Sequence, residues 1–311
     1  MCSISSALKS SDYLAPLRGN GEFKARVSAM LGSGSAPHAL LICGEDGCGR
    51  NFAARLVAAA YLGDENNLVE RGIHPDCVTL EGEGASGIIP VRAVREALSE
   101  LSLGAVMANS RRCALVRDAF HLNQSSSAAL LKSLEEPPAG VMYILTARSS
   151  VELLPTIRSR VVALSVLPVS DAECTQIVKK RFPSLSEREL RDAVSAARGR
   201  SGLALALAGS LKERELASFG SALCAGALKG DRLAVMSTAD KAKDRAELGS
   251  LLRYTLLALE SEFSKAPEHA AKIAAVHDAT LEALRDIPKN INLKLLSARL
   301  AARSSRFKTA N

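Results

Sequence analysis

The sequence predicts an α/β domain built on a parallel five-stranded sheet, followed by segments that are helical throughout. Three observations predict it. Five short apolar runs alternate with helical patterns over the first half; the first run leads into a glycine-rich loop that opens a helix; and after Pro168 only helix signals remain. Strands and helices in alternation bury a parallel sheet between helical layers.

The apolar runs are His38–Cys43, Cys77–Glu81, Arg112–Arg117, Val141–Thr146 and Val161–Val166. Most are continuous rather than alternating, as strands covered on both faces require. Helical patterns lie between them at Phe52–Leu62, Val91–Leu103 and Ser126–Glu136. Beyond Pro168, Ser170 with Glu173 and Ser186 with Glu189 have capping-box spacing, so helices are expected to start near 171 and 187. Arg198-Gly199-Arg200-Ser201-Gly202 reads as a turn before another helix. Long amphipathic stretches follow to about 302, broken at Gly230, Pro267 and Pro288. The expected domains are 1–167 (α/β), 168–208 (small and helical) and 209–311 (helical).

Gly44-Glu45-Asp46-Gly47-Cys48-Gly49-Arg50-Asn51 has the layout of a phosphate-binding loop, in which backbone N–H groups wrap phosphates. The two positions that carry the chemistry differ. Arg50 stands where a lysine reaches the outer phosphates, and Asn51 stands where a hydroxyl holds magnesium. An amide is a poor ligand for a cation that demands close octahedral oxygen geometry.

Composition is ordinary for a globular chain, with 47% hydrophobic and 23% charged residues. The net charge of +7 is uneven: residues 211–311 hold 17 Lys and Arg against 12 Asp and Glu. That excess suits nucleic acid, an acidic partner or a solvated helical surface, and is short of a dedicated DNA-binding stripe. The seven cysteines are scattered without a Cys-x-x-Cys pair, and the five histidines lack metal-ligand spacing. Cys43 and Cys113 sit in apolar runs and read as small buried hydrophobes. No apolar run approaches the ~20 residues that span a bilayer, and the first twenty residues lack a secretory pattern, so a cytoplasmic protein is expected.

Ala129-Leu130-Leu131-Lys132-Ser133-Leu134-Glu135-Glu136-Pro137-Pro138, taken with the loop at 44–51 and Leu154-Pro155-Thr156-Ile157-Arg158-Ser159-Arg160, resembles the clamp-loader branch of the AAA+ proteins. The order and spacing match over roughly residues 35–205, and Asn290-Ile291-Asn292 is also similar to that family. The resemblance implies an AAA+ P-loop domain at 1–167, a lid domain at 168–208 and a C-terminal collar domain at 209–311. It places the family's magnesium-binding Asp and water-polarising Glu on Arg117 and Asp118. A cation at the first of these opposes metal binding. The sensor threonine falls near Ala147 and Arg148, and the lid arginine falls on Gly202. Gly44, Gly47, Gly49, Arg50, Asn51, Arg117 and Asp118 thus form a degenerate nucleotide site, with no functional cofactor expected.

Ser159-Arg160-Val161 matches a motif whose arginine, in this family, enters the ATP site of a neighbouring subunit. Such a finger contributes on the order of 10³-fold or more in rate. The resemblance gives that role to Arg160, with Arg158 read as a surface ion-pair partner. Many members carry a four-cysteine zinc insertion after the first helix, but the interval Gly63–Asp76 has no cysteine, so no metal is expected. The implied function is a non-catalytic clamp-loader subunit. Its implied partners are the loader's ATPase subunits and, through the complex, the sliding clamp and primer-template DNA, with no membrane. The alternatives are an ATP-binding motor of the same fold, or a stand-alone DNA-binding protein using Arg299, Arg303, Arg306 and Lys308.

Overall fold

The computed structural model describes residues 10–33, 36–83, 87–107, 111–289 and 291–304. Asn290, Arg306 and Lys308, singled out in the sequence, lie outside the described residues. The chain divides into two compact units, 1–205 and 206–311.

In the first unit, β1 (Ala39–Cys43), β2 (Cys77–Leu80), β3 (Arg112–Val116), β4 (Val141–Ala147) and β5 (Val162–Ser165) form a parallel sheet in the order β2-β3-β4-β1-β5. The burial of each strand follows from its place. Central β1 and β4 are buried along their whole length, which is why their sequences are unbroken apolar runs. Edge strands β2 and β5 keep exposed positions at Thr79, Ala163 and Ser165. Alternate side chains of the central strands feed two cores. Leu40, Ile42, Leu115, Met142 and Ile144 pack with Phe23, Val27, Ala53 and Val57, whereas Leu41, Ala114, Val116, Tyr143 and Leu145 pack with Val94, Leu101, Leu130 and Leu134.

The helices α1 (Ser10–Tyr13), α2 (Gly21–Gly32), α3 (Arg50–Leu62), α4 (Val91–Ser102), α5 (Gln124–Glu135) and α6 (Pro155–Arg158) surround this sheet in sequence. α4 buries Val94, Ala97 and Leu101 as one stripe and exposes Arg92, Arg95, Glu96, Ser99 and Glu100 on the other side. α7 (Asp171–Arg181) and α8 (Glu187–Ala197) begin at Ser170 and Ser186, and both capping boxes form. Each serine hydroxyl accepts from the N3 backbone while the N3 glutamate accepts from the serine N–H. α9 (Ser201–Gly209) follows the turn at Arg198 and Gly199, which have φ of 50° and 77°.

The second unit contains α10 (Leu211–Lys229), α11 (Arg232–Ala239), α12 (Arg245–Lys265), α13 (Ala270–Asp286) and α14 (Leu293–Ser304). Gly230 closes α10 in the left-handed conformation that a glycine adopts without strain. Asp231 and Asp244 cap the next two helices. Asp286 receives Lys289 at 2.8 Å and Arg299 at 2.9 Å, which hold its carboxyl below the ordinary carboxylate range. Arg245 donates to the carbonyls of Ile287 and Ile291, and Asn292 accepts from Lys294 N–H, so the Ile291-Asn292 motif serves as the start of α14.

α10 and α12 approach each other closely at Gly220. A Cβ there would lie 2.5 Å from Tyr254 Cβ and 2.9 Å from Thr255 N, and neither belongs to a flexible side-chain end. Alanine favours a helix by about 1 kcal/mol over glycine, but here it must push two helices apart. Gly220→Ala is therefore expected to destabilise the protein by about 1–3 kcal/mol, read by urea denaturation followed by circular dichroism. An unchanged or raised midpoint would show that the helices separate at no cost.

Candidate functional site

The loop Gly44–Gly49 joins β1 to α3, at the sheet position where β1 lies between β4 and β5. Gly47 and Gly49 have φ of 82° and 100°, and Gly49 is the N-cap of α3. Gly44 has no room for a side chain, since a Cβ would meet Cys48 Sγ at 2.5 Å and Val166 O at 2.7 Å. The loop therefore makes a tight turn that depends on its glycines.

Its interior is occupied by Arg50. That side chain is only 8% exposed. Nη1 donates to Gly44 O at 3.0 Å and Asp46 Oδ1 at 2.7 Å, while Nε and Nη2 donate to Asp118 Oδ1 at 3.1 and 2.6 Å. Burial alone would lower the guanidinium's pKa, but the hydrogen bonds and charges of Asp118 and Asp46 outweigh it and hold the pKa above its ordinary value. Two carboxylates, one of them from the loop itself, thus neutralise the guanidinium.

Asn51 and Asp118 are joined by a residue that sequence reasoning passed over. Thr146 lies one residue before the place assigned to the sensor threonine. It is buried, its hydroxyl donates to Asn51 Oδ1 at 2.7 Å, and it accepts from Asp118 N–H at 2.8 Å. A hydroxyl at the end of a central strand, beside a changed loop, was the available signal. Asp118 itself has φ of 51°, a left-handed conformation that aspartate tolerates. Arg117 turns elsewhere, to Glu81 at 2.5 Å. Arg148 pairs with Glu152 at 3.2 Å and lies over the Phe120 ring.

The start of α9 seals the loop. Gly202 N–H donates to Gly47 O at 2.7 Å, and Arg200 Nε donates to Glu45 at 2.7 Å. A Cβ on Gly202 would be 3.0 Å from Gly47 O, and one on Gly47 would be 2.9 Å from Leu203 Cβ. Two glycines therefore meet back to back at the position where the family resemblance expects an arginine.

Arg160 is not part of this cluster. It follows α6, whose Pro155 at the first helical position is preset for a helix start. Nη2 contacts Glu135 Oε1 at 2.7 Å, and Nη1 donates to Thr156 O at 2.9 Å and Ser159 Oγ at 3.1 Å. The side chain is 35% exposed, and Glu135, the last residue of α5, is 44% exposed. The ion pair expected of Arg158 thus falls to Arg160. The Arg158 side chain is exposed and makes no hydrogen bond or ion pair among the described residues.

In the interval Gly63–Asp76, polar groups serve the backbone: Asp64 accepts from Val69 N–H and His74 Nδ1 accepts from Asp76 N–H. Among the described residues no group of three or more His, Cys, Asp or Glu could hold a metal ion. Nor is any helix among them long and apolar enough to cross a membrane.

Residues 19–170, which hold the sheet, the loop and Arg160, match the family described as DNA polymerase III, delta subunit. Over this segment the chain is similar to DNA polymerase III delta-prime subunits. It is 34% identical over 140 residues to DNA polymerase III subunit delta' of Escherichia coli K12, covering 45% of this chain and 41% of that one. Delta' of Pseudomonas aeruginosa is 34% identical over 147 residues, covering 43% and 44%. A DNA polymerase III gamma/tau subunit of Mycobacterium bovis is 28% identical over 156 residues, covering 47% and 27%. The matches span less than half the length of these relatives. The matched segment is the five-stranded parallel sheet with its glycine loop between β1 and α3, and helices alone follow it.

Removing Arg50 leaves Asp118 and Asp46 without their cation in a partly buried site, and hydrogen bonds to charged groups are among the stronger ones. Arg50→Ala is expected to lower unfolding free energy by about 2–3 kcal/mol in urea. A loss under about 0.5 kcal/mol, the range of ordinary surface changes, would show that the loop holds its shape without this network.

Proposed function

We propose that this chain is a non-catalytic stator of the DNA polymerase III clamp loader, which supplies Arg160 as an arginine finger to a neighbouring ATPase subunit while the sliding clamp is placed on primed DNA. The observation that carries this reading is the filling of its own phosphate loop by Arg50. With Asn51 at the metal hydroxyl's place and Arg117 paired to Glu81, neither phosphate nor magnesium meets its usual partners. The isolated chain is then no enzyme. It works as a subunit of the polymerase holoenzyme.

Residues 1–167 and the lid, 168–208, would dock against an ATP-binding gamma/tau neighbour, and the helices from 209 would join a collar with the other subunits, delta among them. Contact with primer-template DNA runs through the complex and goes to its phosphates. A finger contributes by placing a delocalised planar cation on charge that develops during phosphoryl transfer. Arg160 has the required exposure. Similarity to gamma/tau also favours a second reading, an ATP-binding motor.

Calorimetric titration with ATP and magnesium separates the two. No binding is expected in the micromolar range, and Arg50→Lys alone should not restore hydrolysis, because the metal ligands are still missing. Micromolar binding or steady turnover by the purified chain would favour the motor.

Arg160→Ala tests the finger. The reconstituted complex should still assemble, while its DNA- and clamp-stimulated ATPase and its clamp loading fall, to an extent set by how many of its sites this chain completes. Arg160→Lys should rescue poorly, since an ammonium lacks the fork that engages phosphate oxygens. Normal ATPase in an intact Arg160→Ala complex would remove the role, and loss of assembly would make Arg160 a structural arginine.

A further inference from the structure

We infer that Glu135 is a positioning residue for Arg160, holding the guanidinium in one orientation while leaving part of it open to a phosphate; the inference rests on the proposed finger role. Three contacts restrain the group: Glu135 Oε1 on Nη2, and Thr156 O and Ser159 Oγ on Nη1. Among the described residues none falls on Nε. Nε–H and the second Nη2–H remain for a ligand, and bidentate recognition of a phosphate needs two such donors.

The anchoring points are fixed by the fold. Thr156 O and Ser159 Oγ belong to the turn around α6, while Glu135 ends α5, whose Leu130 and Leu134 are buried in the same core as Ile157. The carboxylate is therefore delivered by a rigid element other than the turn that carries the arginine. Among the three anchors only Glu135 brings charge. A carboxylate at a helix C-terminus is unfavourable beside the negative end of the helix dipole, and nothing in helix formation calls for it there. Its partner is the arginine.

Orientation before the encounter raises rate by removing a rotamer search from the reaction. The whole rotamer freedom of an arginine bounds the effect at about thirtyfold. Because Glu135 is one anchor among three, Glu135→Ala is expected to lower kcat of the DNA- and clamp-stimulated ATPase about three- to tenfold, with KM for ATP unchanged. Glu135→Gln should lie between Glu135→Ala and the parent, since its amide oxygen still accepts an N–H. In the Arg160→Ala background neither change should lower kcat further.

The experiment measures ATPase kinetics of complexes reconstituted with the gamma/tau and delta partners, for the parent, Glu135→Ala, Glu135→Gln, Arg160→Ala and the double variants, with assembly checked by size exclusion. Parent-like kcat in Glu135→Ala, with Arg160→Ala impaired, would overturn the positioning role and leave the finger standing. An equal drop from Glu135→Ala in the Arg160→Ala background, or loss of assembly in both Glu135 variants, would make Glu135 structural. Normal turnover of Arg160→Ala would remove the finger, and this inference with it.

Discussion

A buried guanidinium needs anions, and the way Arg50 obtains them governs the first unit. Isolated, such a charge carries a desolvation penalty that no single neutral hydrogen bond offsets. Asp46 comes from the same loop and Asp118 from the end of the third strand, 68 residues later. Gly44 O adds a neutral acceptor at the loop's entrance. The loop is thereby tied to the sheet by its own side chains. In a nucleotide-using loop the same closure comes from phosphate and magnesium, so shape depends on occupancy. Here shape and occupancy are separated.

That separation extends to α9. Gly47 and Gly202 touch backbone to backbone, and either position filled by a larger residue would force the helix away from the loop. The hydrogen bond between them, with the Arg200–Glu45 contact, fixes the start of α9 on the loop without a ligand between them. A moving lid needs two arrangements of similar free energy, biased by what binds. Backbone contact, a buried arginine and a filled loop all favour one.

The sheet was legible because burial on both faces leaves an unambiguous trace. The five apolar runs became the five strands, each with one end, and β5 with both, differing by a single residue. The capping boxes at Ser170 and Ser186 were legible because they are local, with partners three residues apart. What the sequence hid was long-range. Asn51 meets Thr146 across 95 residues and Arg200 meets Glu45 across 155, and no spacing rule links such pairs. The break between α11 and α12 was likewise missed, since Asp240 to Asp244 contains neither glycine nor proline to mark it. At the loop, motif comparison read the changed residues as losses. Only the coordinates show Arg50 engaged with two carboxylates.

Arg50 and Arg160 carry the same side chain in surroundings of opposite burial. Around Arg50 low exposure strengthens each interaction, and the donors are spent on groups that cannot leave. An incoming anion would have to displace two tethered carboxylates, each at high effective concentration. Around Arg160 solvent screens the pair with Glu135, and exposed ion pairs are worth only about 0–1 kcal/mol. An interaction that weak does little for folding, so it sets direction without committing the charge. Desolvation by a docking neighbour would then strengthen whatever anion the remaining donors meet. Burial, more than the motif around each arginine, decides which of the two is available to act outside its own chain.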